Sequence, residues 1–297
     1  MAPFFVLEEF KNYLHVEKRF SDHTFVAYVK DLEQFIEFAG IGSVDDLKEV
    51  SHQVVRGWIV SLIDAGVTGR SVNRKLSSLR LFFKWTLKQA ILELDPMTRV
   101  RGPKTEKRLP EFARQHEVTN ERTDEIFSHD FEGVRDRLMV EIFYQTGIRL
   151  SELIELRENN VTARSIKVVG KRNKERIIPI SEDLFGLMEH YRDLKKQNDI
   201  QSACYFVLIN GNKLYPRFVY RKINYYLGRV TNLDKKSPHV LRHTFATHML
   251  NNGAGLETLK SILGHANLSA TQVYTHNSFT QLNNIYSQAH PRGRKKN

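Results

Sequence analysis

Apolar residues recur every three or four positions through the first third of the chain and do not alternate there. Phe4, Leu7, Phe10 and Leu14 form one stripe. Phe25, Tyr28, Leu32, Phe35 and Phe38 form a second, opened by Ser21 and closed by Gly40 and Gly42. Val54, Val55, Trp58, Ile59, Leu62 and Ile63 form a third after Ser51, broken by Gly66 and Gly69. The fourth runs from Ser71 to Ile91 with Val72, Leu76, Leu79, Phe82, Phe83 and Leu87 inward. A period near 3.6 with serine starts and glycine stops predicts four amphipathic helices. Asp95-Pro96 ends the last of them, and Arg99 to Arg114 has no clear period but carries Arg99, Arg101, Lys104, Lys107 and Arg108.

The pattern changes in the remainder. Val134 to Tyr144 is helical in period and ends at Gly147, and Ser151 is a candidate cap for the next helix. Ser165 to Val169 and Arg176 to Ile180 are short β-branched runs, joined by a polar turn from Gly170 to Glu175 that holds three cations. Helical periodicity returns over 183–197 and over Arg217 to Val230, where Arg217, Arg221, Lys222 and Arg229 are expected on the exposed face. Between these, Tyr205 to Leu214 suggests a second, minor hairpin. Ser237-Pro238 starts a further helix that Asn252-Gly253 stops, and Phe279 to Tyr286 predicts one more before Ala289-His290-Pro291-Arg292. The expected fold is mainly α with a small β-hairpin sheet. Residues 1–95 form a helical domain, 96–114 a basic linker and 115–297 a second domain.

The chain has 297 residues, 41% hydrophobic and 27% charged, which suits two domains with ordinary cores and excludes a disordered chain. Lysine and arginine number 45 against 34 acidic residues, a formal charge of +11 that favours a polyanionic partner, nucleic acid above all. Arg70, Arg74, Arg80, Lys84 and Lys88 fall on the polar side of the fourth helix, fitting either a DNA backbone or a solvated face. Cys204 is the only cysteine, so no internal disulfide forms and a reducing cytoplasm is expected. The first residues lack a basic n-region, and no stretch approaches the roughly 20 apolar residues that span a bilayer.

The candidate chemistry lies mostly between His239 and Tyr274. His239 and Arg242 stand one helical turn apart, followed by His265 after Leu263-Gly264 and then by Tyr274. Arginine clamps phosphate oxygens in two-point fashion, histidine moves protons near neutral pH, and a deprotonated tyrosine is a nucleophile. Arg149 joins them from the turn after Gly147, and Lys171 from the hairpin, where it could protonate a leaving oxygen. Each is also an ordinary residue: a solvated helix face, a core tyrosine, a surface loop, a turn lysine. His239, His243 and His248 have a spacing that suggests metal, but Val240 stands where zinc proteases carry glutamate.

Taken in order, five stretches resemble the tyrosine recombinase (phage integrase) family, and closely its Xer branch of XerC/XerD-type enzymes. They are Thr146-Gly-Ile-Arg149-Leu-Ser-Glu-Leu, Gly170-Lys171-Arg-Asn-Lys-Glu-Arg176, His239-Val-Leu-Arg242-His-Thr-Phe-Ala-Thr-His248, Leu263-Gly-His265 and Val273-Tyr274-Thr-His276. The resemblance covers nearly the whole chain, with a SAM-like core-binding domain first and a catalytic domain second, together a C-shaped DNA clamp. It implies that Tyr274 attacks the scissile phosphate to form a 3′-phosphotyrosyl bond, chemistry like that of type IB topoisomerases. Arg149 and Arg242 would hold the non-bridging oxygens, Lys171 protonate the 5′-oxygen, His239 accept the tyrosine proton and His265 bond the phosphate. Glu152 would orient the site from behind it, and His243, His248 and His276 would be structural. Arg172 stands where Xer hairpins carry glycine, and Lys174 is the other lysine of that turn.

The resemblance implies no metal and no cofactor. It implies double-stranded DNA as substrate, a homo- or hetero-tetramer with a paralogous recombinase on paired sites, and a DNA translocase as candidate activator. It also implies a nucleoid-associated place in the cytoplasm, and a C-terminal helix that docks on a neighbouring protomer. Chromosome-dimer resolution at a dif-like site during segregation is the expected role. Integration of a mobile element is the alternative, made less expected by a chain that opens directly on the core-binding helices. A non-catalytic DNA-binding protein is a third reading.

Overall fold

A computed structural model describes residues 5–105, 111–118, 126–170, 173–264 and 276–293. The chain divides into two compact units, Met1–Arg108 and Leu109–Asn297.

The first unit is helical: α1 (Phe5–Asn12), prolonged by a π turn, α2 (Asp22–Ala39), α3 (Val44–Lys48), α4 (His52–Asp64) and α5 (Gly69–Lys88). The apolar stripes meet in one core that includes Phe10, Leu14, Leu32, Phe35, Trp58, Leu79, Phe82 and Phe83. Phe10 packs edge-on to Phe82 at 5.1 Å and Phe35 edge-on to Trp58 at 5.2 Å, arrangements that suit the ring quadrupoles. One additional helix and one boundary differ from the four helices expected. Helix α3 is too short to show a period and is marked only by its capping box, Ser43 with Asp46. Helix α5 begins at Gly69, not Ser71, because the Thr68 hydroxyl accepts the Ser71 amide and starts the helix ahead of the glycine. The stretch after α5 folds back on this unit. Met97 and Val100 are buried, Arg56 donates to the Arg99 carbonyl at 2.9 Å and Asn73 to that of Pro103 at 2.9 Å.

The second unit contains α6 (Phe131–Thr146), α7 (Leu150–Ile154), β1 (Val161–Thr162), β2 (Ser165–Val169), β3 (Glu175–Pro179), α8 (Glu182–Gln197), α9 (Pro216–Val230), α10 (Pro238–Asn251), α11 (Leu256–Leu263) and α12 (His276–Ala289). The strands form an antiparallel sheet in the order β1-β2-β3, with Ile166 opposite Ile178 and Val168 opposite Arg176. The minor hairpin reduces to one isolated bridge, Val207 with Lys213. Helix α6 is buried on nearly every side, since α8 and α10 both pack on it. Helix α7 starts at Leu150 with Arg149, not Ser151, at its cap position: the Glu152 carboxylate reaches back to the Arg149 amide and fixes the start there.

Helix α12 completes the core of its own unit with Leu282, Tyr286 and Ala289. Beyond it, the His290 ring stacks on Tyr286 at 5.2 Å, its Nε2 lying 3.3 Å from the Tyr144 carbonyl. The Arg292 guanidinium donates to the Val118 carbonyl at 2.5 Å, pairs with Glu141 and covers the Tyr144 ring. Among the described residues no helix is long and apolar enough to cross a membrane.

Truncation after Phe279 therefore removes core packing as well as any arm for a neighbour. Loss of Leu282 alone should cost about 2–5 kcal/mol, read as a large fall in midpoint on thermal melting; an unchanged midpoint would contradict this packing. Burial drives the His290 pKa down from 6.5 to about 3. The unfolded chain then binds more protons than the folded one between those values, so stability is lost as pH falls through this window. The limit for one proton is about 1.4 kcal/mol per pH unit. In urea melts at about pH 7 and about pH 5, His290→Gln should flatten that fall; an equal fall in both proteins would contradict it.

Candidate active site

The site is built where the ends of α6, α10 and α11 converge. Helix α6 ends at Gly147 in the left-handed region, φ 61°. A Cβ there would come within 2.5 Å of Phe245 and 2.8 Å of Leu263, so only glycine lets the three helices close. Ser237 caps α10 by accepting the Val240 amide, with Pro238 in the first turn. Arg242, one turn inside, is only 7% exposed. It donates to the carbonyls of Gly147 (2.5 Å) and Leu263 (2.8 Å).

Helix α11 also ends in a left-handed glycine, Gly264, φ 65°. Its last carbonyls face inward and each accepts from a different arginine. Arg176 Nε donates to Ile262 at 2.6 Å, Arg242 to Leu263 at 2.8 Å and Arg149 Nη2 to Gly264 at 3.1 Å. Behind this row lies Glu152, 4% exposed. One of its oxygens accepts from Arg149 Nη1 (2.8 Å) and Arg176 Nη1 (2.7 Å), the other from the Arg149 amide (2.7 Å) and Arg176 Nη2 (2.8 Å).

The electrostatics follow from three guanidinium groups around one carboxylate. Burial alone would raise the Glu152 pKa, but the bonds and charge of Arg176, then those of Arg149, hold it at about 2. Burial lowers the Arg242 pKa to about 10, aided by the positive charges of Arg149 and Arg176. Arg242 is therefore still a cation at neutral pH, but a crowded one. Arg149 leaves 37% of its side chain open to solvent. The arrangement offers rigid, charged N–H donors to an incoming anion.

His239 is exposed on α10, one turn before Arg242. Its Nε2 lies 3.0 Å from Nε2 of His243. Burial first, then the charges of His239 and Arg242, lower the His243 pKa. His243, read from sequence as structural, thus touches the candidate proton acceptor. His248 is buried, its Nδ1 3.1 Å from the Tyr144 hydroxyl. Lys171, Arg172, His265 and Tyr274 lie outside the described residues, as does the side chain of His276.

The five candidate DNA contacts of α5, Arg70, Arg74, Arg80, Lys84 and Lys88, are all exposed at the surface of the first unit. Arg74 also makes two bonds of 2.6 Å to buried Asp31, which Lys75 and Ser78 share. In the second unit Arg217 and Arg221 stand exposed on α9 beside Tyr220 and Tyr225. Lys222 instead turns inward to Asp136 at 2.8 Å. Among the described residues no group of His, Cys, Asp or Glu is placed to hold a metal ion.

Arg176 is the one residue of this cluster that sequence reasoning gave no task. Its signal is register: it shares the buried face of β3 with Ile178, where a β-branched residue would be the default.

Residues 117–281 match the phage integrase family, and residues 7–90 match the phage integrase N-terminal SAM-like domain. The chain belongs to the phage integrase family, the tyrosine recombinases. It is similar to the tyrosine recombinase XerC of Staphylococcus saprophyticus, 38% identical over 288 residues that cover 96% of each chain. It is also similar to the tyrosine recombinase XerD of Staphylococcus epidermidis, 33% identical over 296 residues, 97% of this chain and 99% of that one. Among solved structures its fold is similar to that of the XerH site-specific recombinase bound to a palindromic difH substrate. The TM-score is 0.72 at 20% identity, covering 95% of this chain and 83% of the other.

Glu152→Gln should remove a stabilising carboxylate. Its folded pKa lies below the ordinary 4.5, so its contribution is complete above that value and is lost as pH falls toward about 2. The wild type should exceed the variant by about 3 kcal/mol near neutral pH, the gap narrowing in denaturant melts below about pH 4.5. A gap that stays constant, or is absent throughout, would contradict the ion pairs.

Proposed function

We propose that this chain is a site-specific recombinase of the Xer branch that cuts and rejoins double-stranded DNA, resolving chromosome dimers at a dif-like site during segregation. One observation carries the reading: Arg149 and Arg242 are held on neighbouring carbonyls, with exposed His239 one turn away, in a chain of the tyrosine recombinase family. Two guanidiniums so fixed would hold the non-bridging oxygens of a scissile phosphate and stabilise the charge of its transition state.

In this reading the Tyr274 hydroxyl gives its proton to His239 and attacks phosphorus. The P–O5′ bond breaks, a 3′-phosphotyrosyl bond forms, and the departing 5′-oxygen takes a proton from Lys171. His265 bonds the phosphate. The phosphotyrosine conserves the bond energy, so a 5′-hydroxyl from another strand reverses the step and reseals the DNA without ATP. The basic faces of α5 and α9 would follow the phosphate backbone. The partner would be a second copy or a paralogous recombinase, four protomers on paired sites in the cytoplasm at the nucleoid, with a DNA translocase as activator. The similarity to XerC and XerD over nearly the full chain supports the Xer assignment.

A nicked suicide duplex carrying the host's dif-like sequence tests the reaction. Wild type should give a covalent protein–DNA band on a denaturing gel, and Tyr274→Phe should bind the duplex but give none. A band that persists in Tyr274→Phe would refute the nucleophile. Replacing Arg217 and Arg221 together by alanine should weaken binding to all sequences. It should also reduce the slope of log affinity against log salt by about 1 for each phosphate contact removed; an unchanged slope would remove α9 from the interface.

A further inference from the structure

Arg176 is 5% exposed, and every nitrogen of its guanidinium is engaged within the protein. Nε bonds the Ile262 carbonyl at 2.6 Å, and Nη1 and Nη2 bond the two oxygens of Glu152 at 2.7 and 2.8 Å. Such a group is not available to a substrate, yet both of its partners support a residue that is. Glu152 holds the Arg149 amide and side chain. The α11 terminus, whose Ile262 carbonyl Arg176 takes, offers its next two carbonyls to Arg242 and Arg149. A Cβ at Gly264 would approach Arg176 to 3.2 Å, so the guanidinium lies directly against this turn. Arg176 lies on β3, five positions after Lys171 in the sequence.

We infer that Arg176 is a positioning residue: it fixes the Glu152 carboxylate and the end of α11 so that Arg149 and Arg242 meet the scissile phosphate already oriented. This rests on the recombinase reading above. Only a planar fork bonds both oxygens of Glu152 and the Ile262 carbonyl at once; a lysine ammonium at the same place keeps the charge and loses the geometry. The role is thus one of orientation, and Arg176→Lys isolates it, while Arg176→Met removes charge and geometry together.

The test is single-turnover formation of the covalent adduct on the nicked suicide duplex at saturating DNA, alongside DNA affinity and melting midpoint. Both variants should bind DNA within about 3-fold of wild type and form adduct on the order of 10–100-fold more slowly, the scale of a misplaced reacting geometry. A second substrate carries a neutral methylphosphonate at the scissile position. With one charged oxygen replaced by methyl, the two-arginine clamp matters less, so the ratio of wild-type to variant rate should shrink on it. A merely structural residue would slow both substrates equally. If Arg176→Met does not fold, Arg176→Lys decides alone. Rates equal to wild type, or an equal deficit on both substrates, would overturn the role of Arg176 and leave the recombinase reading standing. No adduct from the wild type itself would overturn that reading, and the role with it.

Discussion

Three consecutive carbonyls at the end of one short helix hold three arginines brought from three separate parts of the chain. Every helix leaves its last carbonyls without partners. In α11 the left-handed Gly264 ends the helix with Ile262, Leu263 and Gly264 facing Arg176, Arg242 and Arg149. The negative end of the helix dipole adds to the attraction. Hydrogen bonds to a charged group contribute roughly 1.5–3 kcal/mol each, so a shift of this one turn loosens all three guanidiniums together. Much of the surrounding packing answers to that demand. Gly147 has no side chain because Phe245 and Leu263 occupy its place, and its carbonyl gives Arg242 a second anchor.

The same arrangement makes the site hungry for an anion. Among the described residues Glu152 is the one carboxylate bonded within this cluster, and its oxygens are already divided between Arg149 and Arg176. Among the described residues Arg242 bonds backbone carbonyls and no carboxylate, and burial first, then the charges of Arg149 and Arg176, lower its pKa. The repulsion is borne by the folded protein before any ligand arrives. In the proposed reaction, a phosphodiester placed against Arg149 and Arg242 would relieve it, and relieve it further as negative charge grew on the phosphate oxygens. For that proposed reaction the arrangement would be electrostatic preorganisation: the donors are oriented by folding, so little reorganisation would remain.

The helical first unit was largely legible because its stripes keep one period and the helices after α1 open on Ser or Thr. The exceptions have local causes. Helix α3 is shorter than two turns, so its capping box is its only signal, and Gly69 reads as a breaker unless the Thr68 cap ahead of it is taken into account. The hairpin strands were legible from their β-branched runs. Arg149 and Arg242 could each be named from the sequence, but nothing in periodicity says that they share one helix end; that convergence is tertiary. Arg176 was hidden by its neighbours, since a cation beside a charged turn reads as solvated, and only its register with Ile178 says otherwise. The docking of Leu282 and Tyr286 into their own unit was likewise invisible, because an amphipathic helix shows that it has a partner and not which one.

The most direct measurement is a crystal structure of the protein on nicked DNA, with the guanidinium positions read at the scissile phosphate. Arg176 and Arg242 should keep their bonds to the Ile262 and Leu263 carbonyls while Arg149 and Arg242 turn their remaining N–H groups to the phosphate oxygens. An α11 terminus displaced from the arginines, with the phosphate held by other side chains, would contradict it.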